Sequence, residues 1–388
     1  MPRVLRNLGL LCYECVRAGY HDPDADLCHG HVAVYFLSEG AWNRAYTVTT
    51  CLGGRYRTLI LRVALPAITH LSKVEAEAAT MDWVRHNTDI PIPEVLDYEA
   101  SPRNPIGYPW MLMTKMPGIP YEHAILTTQQ KVRIAEIVAG WVNTLSHYEF
   151  EGIGTPKYGP YGATPSALGP AVDVDLLIRE WSDDLPRPMN PFPDVYSYAS
   201  SFIAKEPCPR LQVLIDRILG PLSKYSPIQA PPGSVLAVLR AEMNRFTLQH
   251  WDINKGNILV DERTGLPTGL IDWEHIHTLP VVLGVRYPGI MAVSGGDDSS
   301  EETVDCECCI RDCEAMREAF DQKLLDLQSP WLLAPDGGQH DLELARQWDY
   351  RDPFLLVRLL LMFLRLENYS EAVIQWFEDR VAEGLLPW

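Results

Sequence analysis

Between Thr247 and Glu274 the chain reads TLQHWDINKGNILVDERTGLPTGLIDWE, and His250, Asp252, Asn254, Lys255, Asn257 and Asp272 crowd two short apolar runs. An amide and carboxylates fixed by a rigid backbone suit a hard divalent cation, because Mg2+ prefers oxygen ligands completed by phosphate and water. A further carboxylate on the same loop, off the metal, can accept a proton from an incoming hydroxyl. The plainer alternative is a pair of capped strands whose polar ends stand in water.

The elements that must position these groups are legible in the same stretch. NILVD and TGLID are apolar runs separated by ERTGLP, which supplies turn chemistry, so a tight hairpin is expected. Such a hairpin puts Asn257 at the entrance of one strand and Asp272 at the exit of the other, with Asp252 on the loop before them.

Upstream, HVAVYFLSEG, AYTVTTCL and RTLILRVAL are rich in β-branched and aromatic residues and broken by Gly-containing turns such as LGGR, which predicts strands. SKVEAEAATMDWVRHN follows with helix formers and apolar residues at Val74, Ala78, Met81 and Val84, the spacing of one helical face. The prolines of DIPIPEVLDYEA end that helix and lead into more strand, and YPWMLMTKMPG reads as a buried strand closed by a Pro-Gly break. Beyond it TTQQKVRIAEIVAGWVNTLSHYEF reads as one amphipathic helix, and most of the remainder as helical. A strand-rich lobe over residues 1–116 and a helical lobe over 117–388 are therefore expected, joined near TKMPG. Residues 152–232 are rich in proline and aromatics and read as a substrate-side insertion.

The spacing His-x-Asp-x-x-x-x-Asn followed by an apolar-flanked Asp resembles the catalytic and metal-binding loops of kinases. HWDINKGNILVD and IDWE look closer to the aminoglycoside phosphotransferase/choline kinase-like small-molecule kinases, and most similar to the fungal-type branch, which often carries Trp after the His. The resemblance implies an α+β, protein-kinase-like two-lobe fold, a small β-rich N-lobe and a larger helical C-lobe. It makes Asp252 the catalytic base, Asn257 and Asp272 the Mg2+ ligands, and His250 a brace for the loop. In the small lobe it puts Gly40 and Asn43 of EGAWNRAYTV in a loop covering the nucleotide, although the full Gly-x-Gly-x-x-Gly pattern is absent. Arg62 takes the place where protein kinases have a phosphate-pairing Lys, and Glu77 that of the acidic residue bracing it. The backbone from Thr114 to Met116 becomes a hinge for the adenine edge of ATP.

Lys255 departs from the family, where proline commonly precedes the Gly-Asn pair; it either reaches the transferred phosphate as a point charge or stands in solvent. His275 and His277 read as local structure. The landmarks run from Phe36 to Met291. Asp-Phe-Gly and Ala-Pro-Glu are absent, which disfavours a protein kinase, and no Walker loop, nucleophile elbow or His-Glu-x-x-His helix competes.

Bulk composition narrows the partners. The 388 residues are 47% hydrophobic and 22% charged, ordinary for a folded protein of one large domain or two lobes. A net charge of -18 disfavours nucleic-acid and anionic-membrane partners and is compatible with a cationic or neutral small molecule, while the kinase resemblance implies a small hydroxylated substrate. The absence of a long apolar run predicts no membrane span, and the first residues read as a leading helix of a cytoplasmic protein. SGGDDSSEETVD reads as an exposed loop; the cysteines of CECCIRDC lack a second knuckle for zinc and are expected as reduced thiols in or near a helix. Neither the substrate nor an oligomeric state is legible. Two other classes fit the motif: a catalytically inert kinase-like binding protein, and a kinase-fold enzyme doing non-phosphoryl acid/base chemistry on a natural product.

Overall fold

Period-two alternation builds the first sheet. The β-branched and aromatic runs form β1 (Ala33–Glu39), β2 (Asn43–Leu52) and β3 (Arg55–Ala64), joined by β4 (Val95–Glu99) and β5 (Trp110–Thr114) in the order β1-β2-β3-β5-β4. All neighbouring pairs are antiparallel. Along β3, Leu59, Leu61 and Val63 pack with Tyr46, Val48, Trp110 and Leu112 into one core, so Ile60 and Arg62 face the other side. The computed structural model describes residues 33–52, 55–65, 72–159, 164–165, 167–172, 190–204, 207–283, 287–292, 307–329, 353–364, 371–384 and 386. The expected leading helix and the SGGDDSSEETVD loop lie outside the described residues.

Helix α1 (Ser72–Asn87) has the expected bounds. Val74, Ala78, Met81 and Val84 are all buried, as their spacing requires. It stops where Asn87 bonds back to the Trp83 carbonyl (2.7 Å) and the chain enters the segment of Pro91 and Pro93, which cannot continue a helix.

The chain divides into two compact units, Met1–Ala124 with Pro156–Ala167 and Gly256–His275, and Ile125–Thr155 with Leu168–Lys255 and Ile276–Trp388. The sequence assigns the hairpin to residues 117–388, whereas Gly256–His275 goes with the N-terminal strands. Backbone pairing explains the difference: β6 (Ile119–Pro120) pairs with β11 (Ile258–Val260), which pairs with β12 (Pro267–Leu270). Leu270 also donates its N–H to the Pro91 carbonyl at 2.8 Å. Gly118 permits this close approach. At φ +96° a Cβ there would meet the Val260 carbonyl oxygen at 2.5 Å.

In the second unit, α2 (Thr128–Ser146) starts at a capping box between Thr127 and Gln130. It is shorter than expected, because Glu149–Phe150 leaves the helix to form β7, which pairs with β10 (Phe246–Gln249). On its other edge β10 pairs with β13 (His277–Pro280). Two short strands, β8 (Thr155–Lys157) and β9 (Ala167–Gly169), precede α3 (Val195–Ile203), α4 (Pro209–Ile218) and α5 (Val235–Met243); α6 (Glu307–Asp326), α7 (Pro353–Leu364) and α8 (Glu371–Ala382) close the chain. Phe202, Leu214, Leu239, Phe246, Leu360 and Phe377 belong to one apolar core in this unit. The class is mixed α+β, strands first and helices after.

Candidate active site

The hairpin turn is fixed by Asp261, whose carboxylate accepts from the Thr264 N–H (2.7 Å) and hydroxyl (2.8 Å). Those bonds hold its carboxyl below the usual range. Gly265, at φ 70°, completes the turn that ERTGLP announces. At the open end, the Asn257 carbonyl accepts the Ile271 N–H at 2.9 Å, so the ladder runs one step beyond the strands. Asp272 then turns to φ 65°, a left-handed conformation that is uncommon for a side-chain-bearing residue. Trp273 is buried directly behind it and bonds the Leu270 carbonyl at 3.0 Å. The backbone reversal lets Trp273 enter the core while Asp272 remains 33% exposed.

Asp272 faces a cavity of about 670 Å³ within the first unit. Asn257, Arg62 and Glu77 line it, with Gly40, Asn43, Thr114 and Met116, so eight of the residues singled out in the sequence converge there. Ile60, Met81, Met113 and Ile271 give it apolar walls, the mixture of apolar surface and few polar groups typical of small-molecule sites.

Arg62 is the electrostatic centre. It forms an ion pair and hydrogen bond with Glu77 of α1, and its other terminal nitrogen lies 3.0 Å from Glu274 and 3.3 Å from Asp272. Burial opposes its charge, but Glu77, Asp272 and Glu274 more than offset that and hold the guanidinium above its ordinary value. Burial pushes the Glu77 carboxyl up, Arg62 pulls it down, and Glu274 and Asp272 push up again. Burial also pushes Glu274 up, yet Arg62, Lys73 and His275 together leave it below the usual range.

Gly40, Asn43 and Thr114 are engaged within the protein. Gly40 donates its N–H to the Asn43 carbonyl at 2.9 Å, and Asn43 donates its side-chain amide to Glu274. A Cβ at Gly40 would touch the Asn43 carbonyl only at 4.0 Å, so the fold does not demand glycine there. Thr114 gives its N–H to the Glu94 carbonyl at 2.9 Å.

Asp252 and Lys255 belong to the second unit. Asp252 is exposed, Lys255 half-buried. The Asp252 N–H lies 3.3 Å from His250 Nδ1, and Asn254 donates its amide to the Asp252 carboxylate at 2.7 Å. His250 and Ile253 are buried and anchor the loop around the exposed carboxylate. His275 lies edge-on to Trp42, ring centroids 6.0 Å apart, and His277 is buried in β13, both as local structure.

Two residues of the site escape the sequence reading: Glu274, hidden as the last letter of IDWE, and Lys73, 3.1 Å from it. The usable signal for Lys73 was a cation at a helix start, where the dipole disfavours it. In α6, Cys308 is disulfide-bonded, which corrects the expectation of reduced thiols at that position. Among the described residues, no group of three or more His, Cys, Asp or Glu could hold a metal, and no helix is long and apolar enough to cross a membrane.

Residues 34–282 match the phosphotransferase enzyme family, and the chain belongs to it. Clavilactone A biosynthesis cluster protein Y of Ampulloclitocybe clavipes is 24% identical over 237 residues, covering 58% of this chain and 55% of that protein. A subtelomeric hrmA-associated cluster protein of Aspergillus fumigatus is 23% identical over 317 residues, covering 65% and 59%. The chain thus spans well under two thirds of the length of these curated relatives. Among solved structures, a thermostable mutant of aminoglycoside phosphotransferase APH(4)-Ia in ternary complex with ADP and hygromycin B is 15% identical, covering 92% of this chain and 94% of that one, with TM-score 0.46. Choline kinase from Cryptosporidium parvum Iowa II is 12% identical, covering 98% and 97%, with TM-score 0.44.

Proposed function

We propose that the protein transfers the γ-phosphate of ATP to a hydroxyl group of a small metabolite, with Mg2+ as the metal. The observation carrying this reading is the left-handed Asp272 beside Asn257, lining one cavity with the Arg62–Glu77 pair. Family membership supports the reaction class. The donor set fits the metal: one amide and one carboxylate leave most positions of a hard cation to phosphate and water. A site built only of protein ligands would need more carboxylates than these two residues supply.

When bound, Mg2+ would supply the positive charge that neutralises charge developing on the transferred group. Asn257 and Asp272 would hold it. Arg62, braced by Glu77, would bind the inner phosphates, and the apolar walls around Ile60, Met113 and Ile271 would take the base. Asp252 would orient the acceptor hydroxyl and take its proton at a carboxylate oxygen, while Asn254 fixes the carboxylate's rotamer. Lys255 would lend a point charge to the transferred group. Positioning and charge neutralisation do most of the work in phosphoryl transfer, so this inventory is sufficient. The relative named for a biosynthesis cluster supports a metabolite acceptor. The intact Asp252, Asn257 and Asp272 weigh against an inert binding protein.

The test is label transfer from γ-phosphate-labelled ATP to a pool of hydroxylated metabolites. Labelled phosphoester with the native enzyme and none with Asp252→Asn supports the proposal. Equal labelling by both would remove Asp252 from the role of base.

A further inference from the structure

Lys73 has no part in the chemistry above, and its position is unfavourable on two counts. As the second residue of α1 it meets the positive end of the helix dipole. Only 2% of its side chain is exposed, in a residue type that is almost never fully buried unless paired. Glu274 compensates it: Nζ lies 3.1 Å from Glu274 Oε2. The same oxygen accepts the amide of Asn43, the first residue of β2, and lies 3.0 Å from an Arg62 nitrogen. Glu274 therefore ties β2, β3 and α1 to the hairpin through one carboxylate.

The cluster holds two cations, Arg62 and Lys73, and three carboxylates, Glu77, Asp272 and Glu274. Lys73 is not among the residues lining the cavity, whereas Arg62, Asp272 and Glu274 are. An Arg62 that serves phosphates must loosen its hold on Asp272 and Glu274. Asp272 gains a metal in exchange; Glu274 gains nothing. With Arg62 turned away and no Lys73 beside it, Glu274 would be a largely buried carboxylate stripped of both these ion-pair partners, which is strongly unfavourable. It would pull Arg62 back from the phosphates.

We propose that Lys73 is a positioning residue, the fixed counter-ion that keeps Glu274 neutralised and bonded to Asn43 while Arg62 turns to a nucleotide's phosphates. The inference rests on the reading of the cavity as a nucleotide site. It makes a residue without a nucleotide contact control nucleotide affinity, through competition between Glu274 and phosphate for one guanidinium. Neutralising Glu274 removes the competitor, so the defect of a Lys73 variant is repaired by a second substitution rather than worsened.

The test is calorimetric titration of Mg2+·ATP into the full chain and into Lys73→Met, Glu274→Gln and the double variant, each with its thermal unfolding curve. Lys73→Met should bind at least tenfold more weakly and unfold at lower temperature. The double variant should return to within about threefold of the native affinity, since an amide still accepts from Asn43 but no longer competes as an anion. Native affinity in Lys73→Met, or a double variant as weak as Lys73→Met, overturns the proposal and leaves the phosphotransferase reading standing. A native protein that binds neither Mg2+·ATP nor Mg2+·GTP overturns that reading and this inference with it. Should Lys73→Met not fold, Glu274→Gln and the double variant decide: near-equal affinity is expected, and a tenfold deficit in the double overturns the counter-ion role.

Discussion

Asp272 and Asp252 come from one stretch of sequence, yet the structure treats them differently. Asp272 sits at φ 65°, backed by buried Trp273 and 3.3 Å from Arg62, a residue remote in sequence. Asp252 is exposed and held by its near neighbours His250 and Asn254. The first carboxylate is paired with a sequence-distant arginine that is itself largely buried, the second held by short-range hydrogen bonds at the surface. Under the proposed function, a rigid, prepaired site would suit a nucleotide and its metal, and an exposed carboxylate on a locally braced loop would suit an acceptor.

The largest expected effect breaks the comparison on the exposed side. Asp252→Asn should lower kcat by about 10²- to 10⁴-fold, the range for a general base, and leave nucleotide affinity within about twofold. Steady-state kinetics paired with calorimetry separates the two, and parallel loss of affinity would move Asp252 onto the nucleotide. Next comes the buried side. Trp273→Ala removes a side chain only 1% exposed behind Asp272. It should destabilise the protein by about 3–5 kcal/mol in urea unfolding. Magnesium-dependent nucleotide binding should fall with it, whereas an unchanged affinity would mean that Asp272 needs no backing.

A smaller effect sharpens the contrast. Asn254→Ala removes the amide on Asp252 and should lower kcat by about tenfold or less, on the order of 1 kcal/mol. A loss as large as that of Asp252→Asn would give Asn254 a direct role.

The smallest effect concerns pH. In the first unit, burial and then the 2.6 Å hydrogen bond to Asp82 push the Tyr158 phenol up, and burial pushes the stacked Tyr98 up to about 12. Phenols raised in the folded state contribute stability that is complete below about pH 10 and is lost as pH rises towards the folded values. In the second unit, hydrogen bonds from Lys131 and Thr128 hold the Asp312 carboxyl down. Its contribution is complete above about pH 4 and lost as pH falls further. Tyr158→Phe should flatten the alkaline limb of the unfolding-midpoint profile and Asp312→Asn the acid limb; an alkaline limb unchanged in Tyr158→Phe would show that other groups set it.

What was legible followed from local pattern. The bounds of α1, the three leading strands and the Ile258–Leu270 hairpin rest on side-chain period and turn residues, which a single sequence displays directly. Glu77 was found because helical spacing separates it from Glu75 and the family spacing selects it. Glu274 and Lys73 were missed because their pairing exists only after β3, α1 and the hairpin are brought together. The left-handed backbone at Asp272 was equally hidden, since Asp is compatible with many conformations.

The most direct measurement is calorimetric titration of ATP into the native chain, with and without Mg2+, repeated on Asp272→Ala. Binding that strengthens with Mg2+ in the native protein and loses that dependence in the variant is the predicted result. No binding of ATP or GTP under either condition would contradict the phosphotransferase account at its root.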